Sequence, residues 1–217
     1  MSKPLALRAP RNADLTKKRL LAATESEFAN KGYDGARLGS IASAAGVQSA
    51  LIHHYFDDKE GLYRAVVTRA VEQLSRESWQ ILETLPTTSH TLADLRALVA
   101  AFIEALVRFY AMNAHLLAIL QHEARAGGDF ARKLAEKNSK PVFEAVVAQL
   151  ERMQEHGEIR SDVDARQVCI SGVALCAFPF YDEALLNAVW PIEVRSEAFL
   201  EARKKDALEM IMARLTP

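Results

Sequence analysis

The feature that most constrains this chain is the stretch RLGSIASAAGVQSALIHHYF, residues 37–56. Its apolar side chains recur at the three- and four-residue spacing of helices. They form one inner face, made by Ile41, Ala42, Ala45, Val47 and Ile52. Gly46 stands where the first helix must stop, because a residue without a Cβ adopts a positive φ at no steric cost. The stretch therefore predicts two short helices that pack together through one tight turn.

Two helices joined by a glycine-containing turn form the helix-turn-helix pattern. In that motif the second helix lies in the DNA major groove and the first crosses the backbone. Here the second helix is expected over residues 49–55. It would present to a duplex the side chains of Ser49, Ala50, Leu51, His53, His54 and Tyr55. For the two histidines the alternative is that one packs while the other is solvated.

A longer string, YDGARLGSIASAAGVQSALIHHYFDDKEGLY at 33–63, resembles the N-terminal DNA-binding region of the TetR/AcrR family of bacterial regulators. The shared pattern is carried here by Leu38, Ile41-Ala42, Ala45-Gly46-Val47, Tyr55-Phe56 and Lys59-Glu60-Gly61-Leu62. The sequence departs from the family at two positions. Arg37 and Gln48 stand where the family usually carries Ser or Thr, and at Arg37 that residue would cap the first helix.

The resemblance implies particular contacts with DNA. Lys59 matches the family's phosphate-binding lysine, and Arg37 is long enough to reach a phosphate. Lys17, Lys18 and Arg19 cluster in the first turns of the preceding helix, where cations oppose the helix dipole. We favour phosphate contact because the helix-turn-helix follows immediately, and the alternative is a solvated basic face. The expected DNA-binding residues are Lys17, Arg37, Gln48, Ser49, Ala50, Leu51, His53, His54, Tyr55 and Lys59.

The charges are unevenly distributed along the chain. Residues 1–64 carry ten Lys/Arg and seven Asp/Glu, whereas the whole chain has 27 basic and 28 acidic residues. A basic N-terminal region on an acidic body fits DNA binding by that region, although ordinary surface scatter also produces such an imbalance. Residues 1–13 are expected to be a flexible basic arm. They would either add phosphate contacts or remain a disordered terminus.

The remaining periodicity predicts an all-α protein. No segment alternates with period two, and no Asn-Gly hairpin signal is present. We expect an N-terminal three-helix helix-turn-helix domain over residues 14–60. A C-terminal helical bundle for ligand binding and dimerisation is expected over residues 61–217, as in TetR-like proteins.

Local signals predict where individual helices begin and end. Asp14 or Thr16 is expected to cap a helix over 14–31 that Gly32 ends. Asp57 has capping-box spacing to Glu60 at the start of a long helix. Further helices are expected over 91–113, 115–125 and 129–138, and another from residue 139 to Gly157. The last elements are a helix capped by Asp164, ended or kinked at Pro179, a segment over 181–190, and a helix over 196–215.

The body is expected to form a homodimer, because a DNA-reading unit gains specificity from two half-sites. The apolar helices at 168–178 and 196–215 are the candidates for the interface, and the resemblance implies the same pairing. It also implies an effector pocket. The candidate lining residues are Trp79, Phe102, Phe109, Tyr110, His122, Phe178 and Tyr181, each of which plain core packing would also explain.

Motifs of enzymes and cofactor sites are missing from the sequence, which has no phosphate-binding glycine loop, nucleophile elbow or zinc-protease motif. We expect no cofactor and no metal, since His115 and His122 with Glu123 are a poor ligand set. Cys169 and Cys176 are expected to be reduced thiols in a cytoplasmic protein, with an interface disulfide as the alternative. No leader or membrane-spanning stretch is apparent.

The function that the resemblance implies is transcriptional regulation, without enzymatic activity. An apo dimer would bind a palindromic DNA operator and repress transcription until a small-molecule effector released it. The alternative is an all-helical lipid- or small-molecule-binding protein, or an enzyme, with no function on DNA.

Overall fold

The computed structural model describes the backbone of residues 10–84, 91–125 and 129–216, and the side chains of 13–84, 91–113 and 129–216. Within these ranges the fold is all-helical, as predicted. The first helices are α1 Pro10–Gly35, α2 Leu38–Ala45, α3 Ala50–Phe56 and α4 Lys59–Glu83. They are followed by α5 Leu92–Arg125, α6 Asp129–Leu134, a π-helical turn Ala135–Ser139, α7 Lys140–Glu155, α8 Ala165–Tyr181, α9 Glu183–Val189 and α10 Glu197–Leu215.

The chain divides into two compact units, residues 1–70 and 71–217, with the boundary inside α4. The domain boundary predicted from the sequence lies between residues 60 and 61. The core of the first unit consists of Leu20, Ile41, Ala42, Ala45, Ile52 and Leu62. These residues come from α1, α2, α3 and the start of α4, so one apolar cluster holds the helix-turn-helix against its two neighbours.

The second unit is built on α5, α7, α8 and α10. One cluster joins Leu95 of α5 to Leu150 of α7 and Ile211 of α10. Another surrounds Cys176 of α8, which is fully buried between α5 and α10. Packing against these neighbours accounts for the apolar residues on one side of α8, whereas Ile170, Phe178 and Tyr181 remain exposed on the other.

Two predicted helix caps are wrong. Helix α1 begins at Pro10, and Thr16 is buried inside it, so neither Asp14 nor Thr16 starts the helix. At the start of α4 it is Asp58, not Asp57, whose Oδ1 accepts the backbone N–H of Gly61 at 2.7 Å. Asp57 instead makes the link between α3 and α4 with a positive φ of 64°. Sequence spacing alone does not distinguish two adjacent aspartates.

Other boundaries changed when neighbouring segments packed. The helices expected over 91–113 and 115–125 form the single element α5, which deviates from helical geometry at Asn113 (φ −120°, ψ 24°). Helix α8 continues through the buried Pro179 to Tyr181. Gly32 interrupts α1 with φ 67° and ψ 179°, although helical structure resumes as far as Gly35.

The cap at Asp164 is as predicted, and the structure adds a cap at Ser196. Asp164 accepts backbone N–H bonds from Arg166 and Gln167 at the start of α8. Ser196 accepts the N–H of Phe199 at the start of α10.

Among the described residues, no single helix is long and apolar enough to span a membrane. Only α8 and α9 taken together reach the length and apolarity required, and the chain bends by 76° between them. Within the same ranges, no group of three or more His, Cys, Asp or Glu side chains comes together in a way that could hold a metal ion.

A candidate nucleic-acid interface and an internal cavity

The turn between α2 and α3 has the geometry that the glycine at its centre permits. Gly46 lies in the left-handed region (φ 63°, ψ 41°), and the N–H of Val47 donates to the carbonyl of Ala42 at 2.9 Å. A Cβ on Gly46 would lie 2.5 Å from Nη2 of Arg19. The backbone conformation is what favours glycine here, because the Arg19 side chain could shift to admit a Cβ.

Helix α3 has one buried anchor and a broad exposed face. The side chain of Ile52 is fully buried in the core of the first unit. Leu51 and Tyr55 are half-buried. Among the predicted contact residues of α3 and the two residues before it, Gln48, Ser49, Ala50, His53 and His54 are exposed. The arrangement suits a recognition helix, because packing fixes one side while the other is free to contact a duplex.

Aromatic and basic groups meet at the end of α3. The ammonium of Lys17, on α1, lies 5.3 Å from the centroid of the Tyr55 ring, within cation–π range. The rings of His54 and Tyr55 meet edge to face at 4.8 Å. Nδ1 of His53 lies 2.7 Å from the carbonyl oxygen of Asp57. That oxygen can only accept, so Nδ1 carries the proton in this contact.

Of two predicted phosphate contacts, the Lys59 side chain has protein partners and the Arg37 side chain is exposed. Nζ of Lys59 donates to the carbonyl of Asp34 at 3.3 Å and lies 4.8 Å from the Tyr33 ring centroid. The side chain of Arg37 is exposed at the N-terminus of α2, where it forms no capping hydrogen bond. Its backbone N–H donates to Oε1 of Glu27, the carboxylate that also pairs with Lys31. The hydrogen bond from Lys31, together with that N–H, holds the pKa of Glu27 below its usual value.

Arg19 belongs to the basic cluster of α1 but is not among the residues expected to contact DNA. Its guanidinium lies against the turn at Gly46, so it links α1 to the start of the recognition helix. The signal for this arrangement is weak, because nothing local distinguishes Arg19 from Lys17 and Lys18 before the helices pack.

A cavity of about 130 Å³ lies inside the second unit, between α4, α5, α7, α8 and α10. Its described lining is almost entirely apolar and comprises Val71, Leu74, Ser75, Ser78, Leu98, Val99, Phe102, Ile103, Leu106, Asn138, Ser139, Val142, Phe143, Val146, Leu150, Val168, Cys169, Gly172, Val173, Ile211 and Leu215. Of the predicted pocket residues, Phe102 is in this set. The cavity is therefore suited to an apolar molecule.

The other predicted pocket residues lie elsewhere. Trp79 is 40% exposed on α4. The rings of Phe109 and Tyr110 pack edge to face at 5.4 Å, and burial raises the pKa of Tyr110 well above its usual value. Phe178 and Tyr181 line an open groove between α7 and α8. The side chain of His122 lies outside the described residues.

The cavity has one polar end that sequence reasoning missed. Asn138 of the π-helical turn and Ser75 and Ser78 of α4 line it. Oγ of Ser75 donates to the carbonyl of Asn138 at 3.0 Å, and Oγ of Ser78 donates to the carbonyl of Leu74 at 2.8 Å. The pattern Leu134, Asn138, Val142 contained the clue, because it places an amide at helical spacing within an apolar stripe.

Both cysteines are free thiols, as predicted. Burial raises the pKa of Cys169 to about 11 and that of Cys176 to about 12. Their thiolate forms are therefore scarce at neutral pH, which makes both groups poor nucleophiles.

Comparison with known proteins supports the same division of the chain. Residues 20–66 match the family model described as "Bacterial regulatory proteins, tetR family". Residues 96–211 match the model described as "Tetracyclin repressor-like, C-terminal domain".

Curated relatives include regulators of transcription. The chain is 35% identical over 85 residues to the transcriptional activator FasR of Mycolicibacterium smegmatis, covering 39% of this chain and 37% of FasR. It is 31% identical over 141 residues to the transcriptional regulator BetI of Cronobacter sakazakii, covering 64% of this chain and 67% of that protein. The matched region spans a little over a third of the length of the first relatives.

Solved structures share the fold at low sequence identity. A TetR-family transcriptional regulator of Mesorhizobium loti has a TM-score of 0.69 at 19% identity, over 94% of this chain and 98% of the other. FadR of Bacillus subtilis, solved in complex with stearoyl-CoA, has a TM-score of 0.65 at 18% identity, over 90% and 97% of the two chains.

Proposed function

The chain belongs to the TetR family of transcriptional regulators, and from that premise we propose that it is a repressor, released from a palindromic operator by a small molecule. Family membership makes it a DNA-binding regulator and not an enzyme. The alternative of a lipid carrier or enzyme without a function on DNA is therefore set aside. Operator binding and release would take place in the cytoplasm.

The observation that carries the DNA-binding proposal is the two-sided character of α3. Ile52 anchors the helix in the core, while Gln48, Ser49, Ala50, His53 and His54 remain exposed. We assign these five residues to base edges and nearby phosphates, with Leu51 and Tyr55 at the margin. Lys17, Arg37 and Lys59 are assigned to phosphates, and Arg19 joins this group.

The experiment compares the same substitution at two exposed positions of the first unit. Ala50→Glu places a carboxylate on the proposed DNA face of α3, so we expect at least a tenfold loss of affinity, about 1.4 kcal/mol, for any promoter fragment bound. Ala29→Glu makes the same change about 18 Å further along α1 than Lys17 and should leave affinity nearly unchanged. Equal affinities for the two variants in a gel-shift assay would show that α3 does not read DNA.

The dimer proposal rests on exposed apolar side chains of α8. Ile170 is 60% exposed, Phe178 52% and Tyr181 42%. With Ala174 they follow one side of the helix at the spacing of a packing stripe. We propose that α8 and α10 of a second copy cover this face in a four-helix bundle, which would bring two recognition helices to the two halves of a palindrome.

We propose that the protein represses transcription. Because the relative FasR is named as an activator, the direction of regulation requires a separate test. A reporter gene placed behind the bound promoter should be expressed more strongly when the regulator is deleted. Lower expression on deletion would identify an activator instead.

The effector is proposed to occupy the internal cavity of the second unit, whose volume of about 130 Å³ admits a small molecule. The nearly apolar lining supports this assignment. A ligand there releases DNA only if it binds the non-operator conformation more tightly than the operator-bound one. Helix α4 contributes Val71, Leu74, Ser75 and Ser78 to the cavity, so it is the element through which we expect the ligand to act.

A further inference from the structure

The orientation of the Asn138 side chain is fixed by the partner of its amide nitrogen. Nδ2 donates to the carbonyl of Leu134 at 3.1 Å. A carbonyl oxygen can only accept, so the nitrogen must face Leu134 and Oδ1 must point the other way. Asn138 is 8% exposed and lines the cavity. Among the described residues no donor forms a hydrogen bond with this Oδ1, so its lone pairs are available to a ligand.

The hydroxyl groups of Ser75 and Ser78, which also line this end of the cavity, already donate hydrogen bonds within the protein. The hydroxyl of Ser75 donates to the carbonyl of Asn138, and that of Ser78 donates to the carbonyl of Leu74. What these hydroxyls still offer is lone pairs. The polar end of the cavity therefore presents mainly hydrogen-bond acceptors.

We propose that the cavity takes a small neutral molecule with an apolar body and one hydrogen-bond donor, such as a hydroxyl group, which donates to Oδ1 of Asn138. The proposal rests on the proposed function in taking this cavity as the effector site. The volume, about 130 Å³, is close to the roughly 150 Å³ of a cavity that holds one benzene. The apolar walls supply binding, and Asn138 supplies selectivity for the donor.

Charged ligands fit this lining poorly. Among the described lining residues there is no Lys, Arg or His to pair with a carboxylate or phosphate, and no Asp or Glu to pair with a cation. A charge moved from water into such a cavity without a partner carries a large desolvation cost. A neutral donor avoids that cost and satisfies Oδ1 of Asn138.

Asn138 also occupies a position from which it can affect α4. The π-helical turn that contains it is joined to α4 by the bond from Ser75 to the Asn138 carbonyl and by the ion pair of Lys137 with Glu72, at 3.1 Å. Irregular π-helical turns are frequent at functional sites. A ligand bound to Asn138 therefore acts on the segment that holds α4 in place.

The test uses phenol and toluene, which have the same shape but differ by a hydroxyl and a methyl group. Both are titrated into the full-length protein by calorimetry, and the ratio of their association constants is compared between wild type and Asn138→Leu. Differences in transfer from water cancel in this comparison. We expect the phenol-to-toluene ratio to fall about fivefold in the variant, the effect of losing one neutral hydrogen bond.

Val146→Ala is the matched control, since it alters an apolar part of the same cavity. It should change both affinities and leave their ratio as in the wild type. If Asn138→Leu does not fold, NMR of the wild type replaces it, with the side-chain amide signal of Asn138 shifting for phenol and not for toluene. An unchanged ratio, an unshifted amide signal, or no binding of either probe would overturn the proposal.

A second measurement distinguishes an error in the proposed ligand class from an error in the proposed function. The same probes are added to the protein bound to its promoter fragment. If phenol binds with a preference that depends on Asn138 but DNA stays bound, the ligand class stands and only the release mechanism for that ligand fails. If DNA is released equally by phenol and toluene in wild type and Asn138→Leu, the effector site stands and the role of Asn138 is wrong.

Discussion

At the scale of single residues, Gly61 fixes how α4 begins beside α3. Its N–H donates to the carboxylate of Asp58, and a Cβ built on it would overlap the carbonyl oxygen of Phe56. In the family pattern Lys-Glu-x-Leu, which Lys59, Glu60 and Leu62 match, Gly61 stands at the variable position. The positive φ of Asp57 brings the end of α3 so close to α4 that only glycine fits. The same close approach holds Lys59, the proposed phosphate contact, near Tyr33 and Asp34.

We predict that Gly61→Ala destabilises the protein by about 2–3 kcal/mol, because backbone atoms must move to admit the methyl group. Gly39→Ala is the control. Gly39 lies in α2 with nothing within 4 Å of its missing Cβ, so alanine there should stabilise the helix by roughly 0.5–1 kcal/mol. Urea unfolding of both variants measures the difference, and a Gly61→Ala variant as stable as wild type would contradict the assignment.

At the scale of elements, α2 has an extended residue ready to cap it but no capping side chain. Arg37 has φ −121° and ψ 131°, the backbone conformation of an N-cap, yet its side chain makes no capping hydrogen bond. Family members usually carry Ser or Thr at this position. The sequence thus has a positive charge where a cap would add stability, as expected if the side chain contacts a phosphate.

Arg37→Ser is therefore predicted to stabilise the protein by about 0.5–1 kcal/mol, because a serine hydroxyl can accept an unpaired N–H of the first turn. DNA affinity should fall at the same time. Arg37→Ala removes the same charge without supplying a cap, so it should weaken DNA binding equally and bring no gain in stability. Urea midpoints that do not differ between the two variants would show that the capping geometry is not used.

At the scale of the whole molecule, the exposed face of α8 suggests a partner. The exposed apolar side chains of Ile170, Phe178 and Tyr181 lie together on one helix, unlike the isolated apolar residues that are common on protein surfaces. Cys169 and Val173 of the same helix line both the cavity and the groove that contains Ile170, Phe178 and Tyr181. If a second copy covers the exposed face, α8 lies between effector and partner, and a ligand could alter how two recognition helices are spaced.

We predict that Ile170→Glu weakens the dimer at least tenfold, because a carboxylate would be buried in an apolar interface without a partner. Operator affinity should fall with it, since a monomer contacts one half-site. Leu92→Glu, at a position 58% exposed on α5, is the matched control and should remain dimeric. Sedimentation equilibrium gives both dissociation constants. A wild type that sediments as a monomer would contradict the proposed interface.

Local sequence signals were sufficient to predict the all-helical fold, the helix-turn-helix with its turn at Gly46, and the cap at Asp164. These features depend on local properties, namely the periodicity of apolar residues, the freedom of glycine at positive φ and the short reach of a capping side chain.

The packing of the helices was needed to establish that Asp58, not Asp57, caps α4 and that Arg19 lies against Gly46. It also placed Phe102 on the cavity wall and Trp79 at the surface, although both are aromatic residues at helical spacing. The physical reason is that helical spacing shows which residues share a face but not what covers that face. The cover comes from helices distant in the sequence, and so does the polar end that Asn138 gives to an otherwise apolar cavity.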